Sequence, residues 1–340
     1  MPLLFSLLGD TFGPAKRNVV SAGFGVAVGA GVFLGQVVAG AIGGTYGSWR
    51  TPFVVVALPA MVTAALIYFT TDEPARGGAE VELQLQAGSG GVAYTEKISC
   101  QKVKGLFKTR SNILAFMQGV PGCIPWGVIF AYFNDYLSHD RGFTILQATT
   151  VVTMFGIGGA IGSIGGGVVG QYLNNRRPYC VPLLMGTTTI LGVFPCLYLF
   201  NHSSPEQMNM TCFVSFLVGL VSSITGSNIK AVLLNVNVPE VRGTVFSIFV
   251  LFDDLGKGTG PFFAAAMISS LGSRQKAFNL AIWAWVICGF LLMGIACTIE
   301  ADTKKVAEAL KTTSMKLPQS ARHRPSADVE LSDTSFISSQ

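Results

Sequence analysis

The chain has 340 residues; half are hydrophobic, only 12% are charged, and the net charge is +5. A water-soluble domain carries about 25% charged residues, so this composition excludes an ordinary soluble globule and points to a chain lying mostly in lipid. The positive excess falls in connectors and a tail, so it is no nucleic-acid signal. The seven cysteines show no paired spacing and suggest neither a disulfide framework nor a metal site.

A helix crossing a bilayer needs about 20 mostly apolar residues. That length predicts spans at 18–46, 51–70, 111–136, 144–173, 178–200, 211–236, 242–271 and 277–299. Residues 2–9 read as the tail end of another helix. The chain opens on Met1 and Pro2 and meets Asp10 before any span is complete, unlike a cleavable signal peptide. Between the second and third spans, 71–110 begins polar and glycine-rich and then turns basic. There Lys97, Lys104 and Lys108 alternate with Ile98, Val103, Leu106 and Phe107. Two readings stay open for this stretch: a helix lying on the anionic inner leaflet, or a solvated linker. Residues 300–340, rich in Ser, Thr, Lys and Arg, read as a disordered tail.

Lys and Arg set the orientation. Lys16, Arg17, the 71–110 loop, Arg176, Arg177, Arg242 and the tail share one side, against Arg50, Arg141, Arg274 and Lys276 on the other. The N- and C-terminal segments are therefore expected in the cytoplasm. The 201–210 loop then faces outward, which suits the acceptor triplets that begin at Asn201 and Asn209.

Four charges break the apolar spans: Lys230, Asp253, Asp254 and Lys257. A charge in hydrocarbon costs a few kcal/mol or more, so such groups usually face a partner or a watery cavity. Ser223, Ser227 and Lys230 share a helical face, with Asn228 on a neighbouring stripe. Lys230 could attract an anionic head group there; it could equally snorkel to the nearer membrane surface. Asp253 and Asp254 lie four and three residues before Lys257, which suits either an ion pair or a proton relay. The 111–136 span holds Gln118, Pro121, Pro125 and Trp126, and its prolines bend it as a cavity-lining helix would be bent. Gly158, Gly162, Gly166 and Gly170 recur every four residues, a ridge that lets another helix approach closely. His139, His202 and His323 fall in loops or the tail, and no residue pattern marks an enzyme, a metal site or a cofactor site.

Sliding the chain on itself by 225 residues aligns Pro14 with Pro239, Arg17 with Arg242, Gly31 with Gly256 and Gly35 with Gly260. The pair Gly47 and Ser48 then falls on Gly272 and Ser273, and Phe53 on Phe278. Repeats of this kind are common in transporters, where the solute site lies between the halves.

These residues carry a resemblance. Gly9, Asp10, Phe12, Pro14 and Arg17, followed by Trp49, Arg50 and Phe53, resemble the stretch joining the fourth to sixth helices of the major facilitator superfamily. The Gly256-to-Pro261 stretch resembles that family's packing motif, and the first copy has Gln36 where proline is usual. Gly170 to Arg177, including Arg176, resembles a degenerate gating loop between helices 8 and 9; it is two residues short, with Asn174 in place of aspartate. A similarity to Spinster-like lipid transporters rests on Pro121, Gly122, Pro125 and Trp126 and on the 228–242 stretch.

The resemblance implies an all-α polytopic membrane protein, a helical bundle with an incomplete N-terminal half and a complete six-helix C-terminal half. Its parts would be 1–70 (the rest of the N-terminal half), 71–110 (a cytoplasmic central loop), 111–299 and the tail 300–340; the first three helices would be missing. It further implies a secondary or facilitative transporter of a small or amphipathic, lipid-like solute working by alternating access, with proton coupling left open. Gln118, Trp126, Ser223, Ser227, Asn228 and Lys230 would bind solute. Asp253, Asp254 and Lys257 would couple protons or pair, and Gly170, Arg176 and Arg177 would gate. Membrane lipids are the other expected partner. The competing reading is a non-transporting scaffold or regulatory remnant of a transporter.

Overall fold

The computed structural model describes residues 2–46, 50–71, 79 and 99–315, and every regular element among them is helical. The chain runs through α1 (Pro2–Thr11), α2 (Arg17–Tyr46), α3 (Thr51–Thr70) and the short α4 (Cys100–Leu106). It continues as α5 (Arg110–His139), α6 (Ile145–Arg176), α7 (Cys180–Leu191), α8 (Val193–His202), α9 (Met208–Ser222) and α10 (Ile224–Asn235). It closes with α11 (Arg242–Leu271), α12 (Arg274–Ile282), α13 (Ala284–Ala296) and α14 (Ile299–Met315). Each predicted span coincides with a helix or with two short helices in line: α7 with α8, α9 with α10, and α12 with α13. Six of these are long and apolar enough to cross a membrane by length and composition.

Local chemistry sets the ends. Thr144 and Gln147 cap α6 reciprocally, the Thr144 hydroxyl accepting from the Gln147 amide at 3.3 Å and the Gln147 side chain accepting from the Thr144 amide at 2.9 Å. Gly272 ends α11 with φ of 64°, a left-handed turn that glycine adopts without a Cβ penalty.

The glycine ridge of α6 packs on α9 and α10. A side chain at Gly158 or Gly162 would collide with the backbone at Phe216 or Leu220, and one at Gly166 would collide with Ile224. Two buried clusters fill the bundle. One surrounds Phe133, Tyr136, Phe200, Phe278 and Trp285, and the other surrounds Phe5, Phe116, Leu233, Phe246 and Leu292. The outside carries Phe130, Phe194, Phe213, Leu251, Phe262 and Phe290, all well exposed. An apolar surface of that kind suits contact with lipid or with other apolar helices.

Three expectations change or narrow. The tail is helical through Met315, because Val306 and Leu310 form an apolar stripe with Leu310 buried, and Asp302 receives the Ser111 amide at 3.1 Å. Residues 316–340 lie outside the described residues, as do Gly47, Ser48, Lys97 and Ile98. Within 71–110, the basic stretch is helical over Cys100–Leu106 and held at Lys102, which pairs with Glu240 at 2.8 Å. Asn201 donates to the Leu197 carbonyl at 2.7 Å and to Asn279 at 3.0 Å, so this triplet's amide is engaged within the bundle; Asn209 is exposed.

Candidate functional site

Helix α5 presents one wall of the site. Gln118 is buried; its amide donates to the Ala115 carbonyl at 3.1 Å, and its oxygen accepts from the Cys288 thiol at 3.2 Å. One turn on, Cys123 lies beside the Asp253 carboxylate on α11. Asp253 can lie flat against α5 because Gly119 faces it: a methyl group there would come within 2.8 Å of the carboxylate.

The four intramembrane charges divide into two kinds. Asp254 and Lys257 make an intrahelical pair at 3.4 Å on the outer side of α11, with side chains 64% and 43% exposed. Asp253 and Lys230 turn inward, both half-buried, and bear on each other electrostatically without forming an ion pair. The Lys230 ammonium sits 4.7 Å from the centre of the Phe5 ring and makes no hydrogen bond among the described residues.

The other expected solute contacts are spread out. Trp126 joins an aromatic group with Phe130 and Phe155, each at 5.5 Å, and Trp285 at 6.2 Å. The Ser227 hydroxyl donates to the Ser163 carbonyl at 3.4 Å, and Ser223 lies near Gly159. Asn228 is wholly buried. It donates to the Gly166 and Ile224 carbonyls at 2.9 and 2.8 Å and accepts from Asn18 at 2.6 Å, joining α10 to α6 and α2. Gly170 faces Asn228 directly. Lys230 therefore points away from its expected companions Ser227 and Asn228, which are occupied by packing.

At the expected gating loop, Arg176 stacks over Tyr172 at 4.4 Å and Arg177 donates to the Tyr179 hydroxyl at 2.9 Å. That hydrogen bond holds the Arg177 guanidinium above its ordinary range. The polar tie at this end runs instead through Gln171. It accepts from the Asn18 amide at 2.9 Å and donates to the Pro14 carbonyl at 3.2 Å and to Asn175 at 2.8 Å.

Beneath the charges lies a feature that the sequence reading missed. Arg17 is buried and reaches back eight residues to the Gly9 carbonyl at 3.0 Å, while its other branch donates to Asn235 at 3.0 Å. Arg242, equally buried, reaches back eight residues to the Leu234 carbonyl at 3.1 Å and faces Asp10 at 3.7 Å. Each arginine closes its own copy of the repeat and grips the other copy at the equivalent position. The signal was present: the 225-residue shift that aligns the arginines also aligns Asp10 with Asn235 and Gly9 with Leu234. Further out, α4, α14 and the 236–241 turn enclose a groove of about 440 Å³ lined by Lys102, Leu106, Glu240, Asp302, Lys305 and Val306.

This geometry has counterparts in known proteins. The chain is 25% identical over 317 residues to human "Protein spinster homolog 3", covering 86% of this chain and 60% of that protein. It is 25% identical over 329 residues to human "Sugar phosphate exchanger 3", with 88% and 63% covered. It is 24% identical over 324 residues to "Glucose-6-phosphate exchanger SLC37A2" of Bos taurus, with 86% and 64% covered. The chain thus spans less than two thirds of the length of these relatives. The family model described as Major Facilitator Superfamily matches residues 1–205 and 123–322, and with its bundle of membrane-length apolar helices the chain belongs to that superfamily as an integral, multi-pass membrane protein.

Proposed function

We propose that this protein moves a small organic solute across a membrane by alternating access, with no chemical conversion of the solute. The observation that carries this reading is the inward pair Lys230 and Asp253, half-buried in otherwise apolar helices directly above the reciprocal arginine clamp. A static membrane protein gains little from keeping such charges in hydrocarbon. A carrier uses them to bind solute between halves that rock about the site.

In this reading, Gln118, Trp126, Lys230 and Asp253 face the solute, while Ser227, Asn228 and Gly170 hold α6, α10 and α2 together around it. The Lys and Arg distribution supports a cytoplasmic clamp, central loop and tail in this reading. In this reading, the contacts of Arg17 with Asn235 and of Arg242 with Asp10 close the carrier at that end. The printed names of the relatives support an organic solute, including sugar phosphates for two of them.

The test is uptake into proteoliposomes containing the full chain. Glycerol 3-phosphate, glucose 6-phosphate, a lysophospholipid and neutral polyols form the solute panel, each with and without a pH gradient. Saturable uptake of at least one solute is expected, lost in the Lys230→Met variant. Asp253→Asn should flatten any dependence on pH, because it removes the ionisable carboxylate that faces Cys123, Lys230 and Lys257, whereas Asp254→Asn should leave that dependence in place. Uptake of the whole panel at the rate of empty liposomes would contradict transport. A pH response unchanged in Asp253→Asn would contradict the relay.

A further inference from the structure

The Lys230 ammonium has an unusual environment for a lysine near a helix end. It lies five residues before the end of α10, within reach of the membrane surface, yet it turns inward. Its nearest aromatic neighbour is Phe5 of α1, only 5% exposed, which is stacked on Phe246 at 5.1 Å and tilted against Phe24 at 6.3 Å. The charges that bear on the ammonium are Asp253, which attracts it, and Lys257, which repels it; neither lies at ion-pair distance. Among the described residues, the contact that holds this half-buried ammonium is the Phe5 ring face.

Phe5 and Lys230 belong to different halves of the molecule. Phe5 rides on the same short helix as Gly9 and Asp10, the positions gripped by Arg17 and Arg242. A ligand that draws the ammonium off the ring would loosen α1 at one end while the clamp holds the other.

We propose that Lys230 is an anion-binding residue kept in reserve by Phe5, and that an organic anion displaces the ring when it binds. This rests on the transport reading and names the chemical class of its solute. Phe5 is a positioning residue: it does not touch the anion but sets the affinity of the group that does. Neutral solutes gain nothing from the exchange.

The test compares Phe5→Leu, Phe5→Tyr and Lys230→Met with the unaltered full chain, purified in detergent for calorimetric binding and reconstituted for exchange. Glycerol 3-phosphate and glucose 6-phosphate are the anionic probes, with glycerol and glucose as neutral controls. Leucine keeps the apolar bulk and removes the ring. Phe5→Leu should therefore tighten binding of both phosphates about tenfold, a gain of the size expected for a partly desolvated cation–π contact. It should lower KM and kcat for exchange together, because the loaded state no longer gains by releasing α1. Phe5→Tyr should behave as the parent, and Lys230→Met should bind neither phosphate. Unchanged phosphate affinity in Phe5→Leu, an equal effect on phosphates and neutral probes, or no phosphate binding to the parent chain would overturn the proposal. Phosphate binding that follows this pattern with no exchange in liposomes would instead overturn the transport reading and leave the anion site standing.

Discussion

Helices α2 and α11 start alike. Each follows a proline-bearing turn, each opens on a buried arginine, and each arginine returns eight residues to a carbonyl at the end of the preceding helix. Beyond the first turns they differ. In α11, Gly256 and Gly260 press against the Val120 and Ile124 carbonyls of α5, so closely that no side chain would fit. In α2, the equivalent Gly31 and Gly35 meet nothing within 4 Å among the described residues. One sequence pattern thus yields a tight helix contact in one copy and an open face in the other. A glycine pair marks where a helix can be approached; whether it is approached depends on the neighbour.

The clamp offers the largest expected break in this symmetry, because Arg242 faces a carboxylate at Asp10 whereas Arg17 donates to an amide at the equivalent Asn235. Arg242→Met removes the cation that faces the Asp10 carboxylate, whose side chain is 10% exposed, and should cost about 3–5 kcal/mol, the usual penalty for removing one member of a buried pair. Arg17→Met removes the hydrogen bonds to Asn235 and to the Gly9 and Phe12 carbonyls and should cost about 1–3 kcal/mol. Unfolding temperatures in detergent would rank them; equal losses would show that the arms are equivalent. Asn235→Asp should instead strengthen the Arg17 contact by placing a carboxylate where the amide stands, and so raise the unfolding temperature.

The glycines come next. Gly256→Val and Gly260→Val should destabilise by about 1–3 kcal/mol through overpacking against the α5 backbone. Gly31→Val and Gly35→Val should shift the melting point little. A comparable loss at Gly31 would mean that this face is covered in solution. Smaller again is Trp285→Phe, which removes the 3.0 Å hydrogen bond from the indole to the Gly122 carbonyl and should cost about 1 kcal/mol. Smallest is Lys257→Met. Its pair with Asp254 is exposed enough for solvent to screen, so stability should move by under about 1 kcal/mol.

Much of this was legible in the residues. Span positions followed from apolar length alone, and the start of the repeat followed from Pro14, Arg17, Pro239 and Arg242. The four intramembrane charges stood out for the same electrostatic reason that makes them costly. What escaped depended on contacts between distant segments. Which aspartate of the adjacent pair faces inward depends on the fit of α11 against α5, where Gly119 leaves room for Asp253. Lys230 parts from Ser227 and Asn228 because those two meet the backbone of α6, while the lysine reaches α1. The helix through Met315 was hidden by its charged composition; its fold depends on Asp302 meeting Ser111 far away in sequence.

The account turns on the clamp being a gate rather than a fixed brace. Spin labels on Thr11 and Ser247, both exposed, would report the distance between α1 and α11 in liposomes. The account predicts two distance populations, with the shorter one enriched by Asn235→Asp and the longer one by Asp10→Asn. A single distance, the same in the parent chain and in both variants, would contradict it.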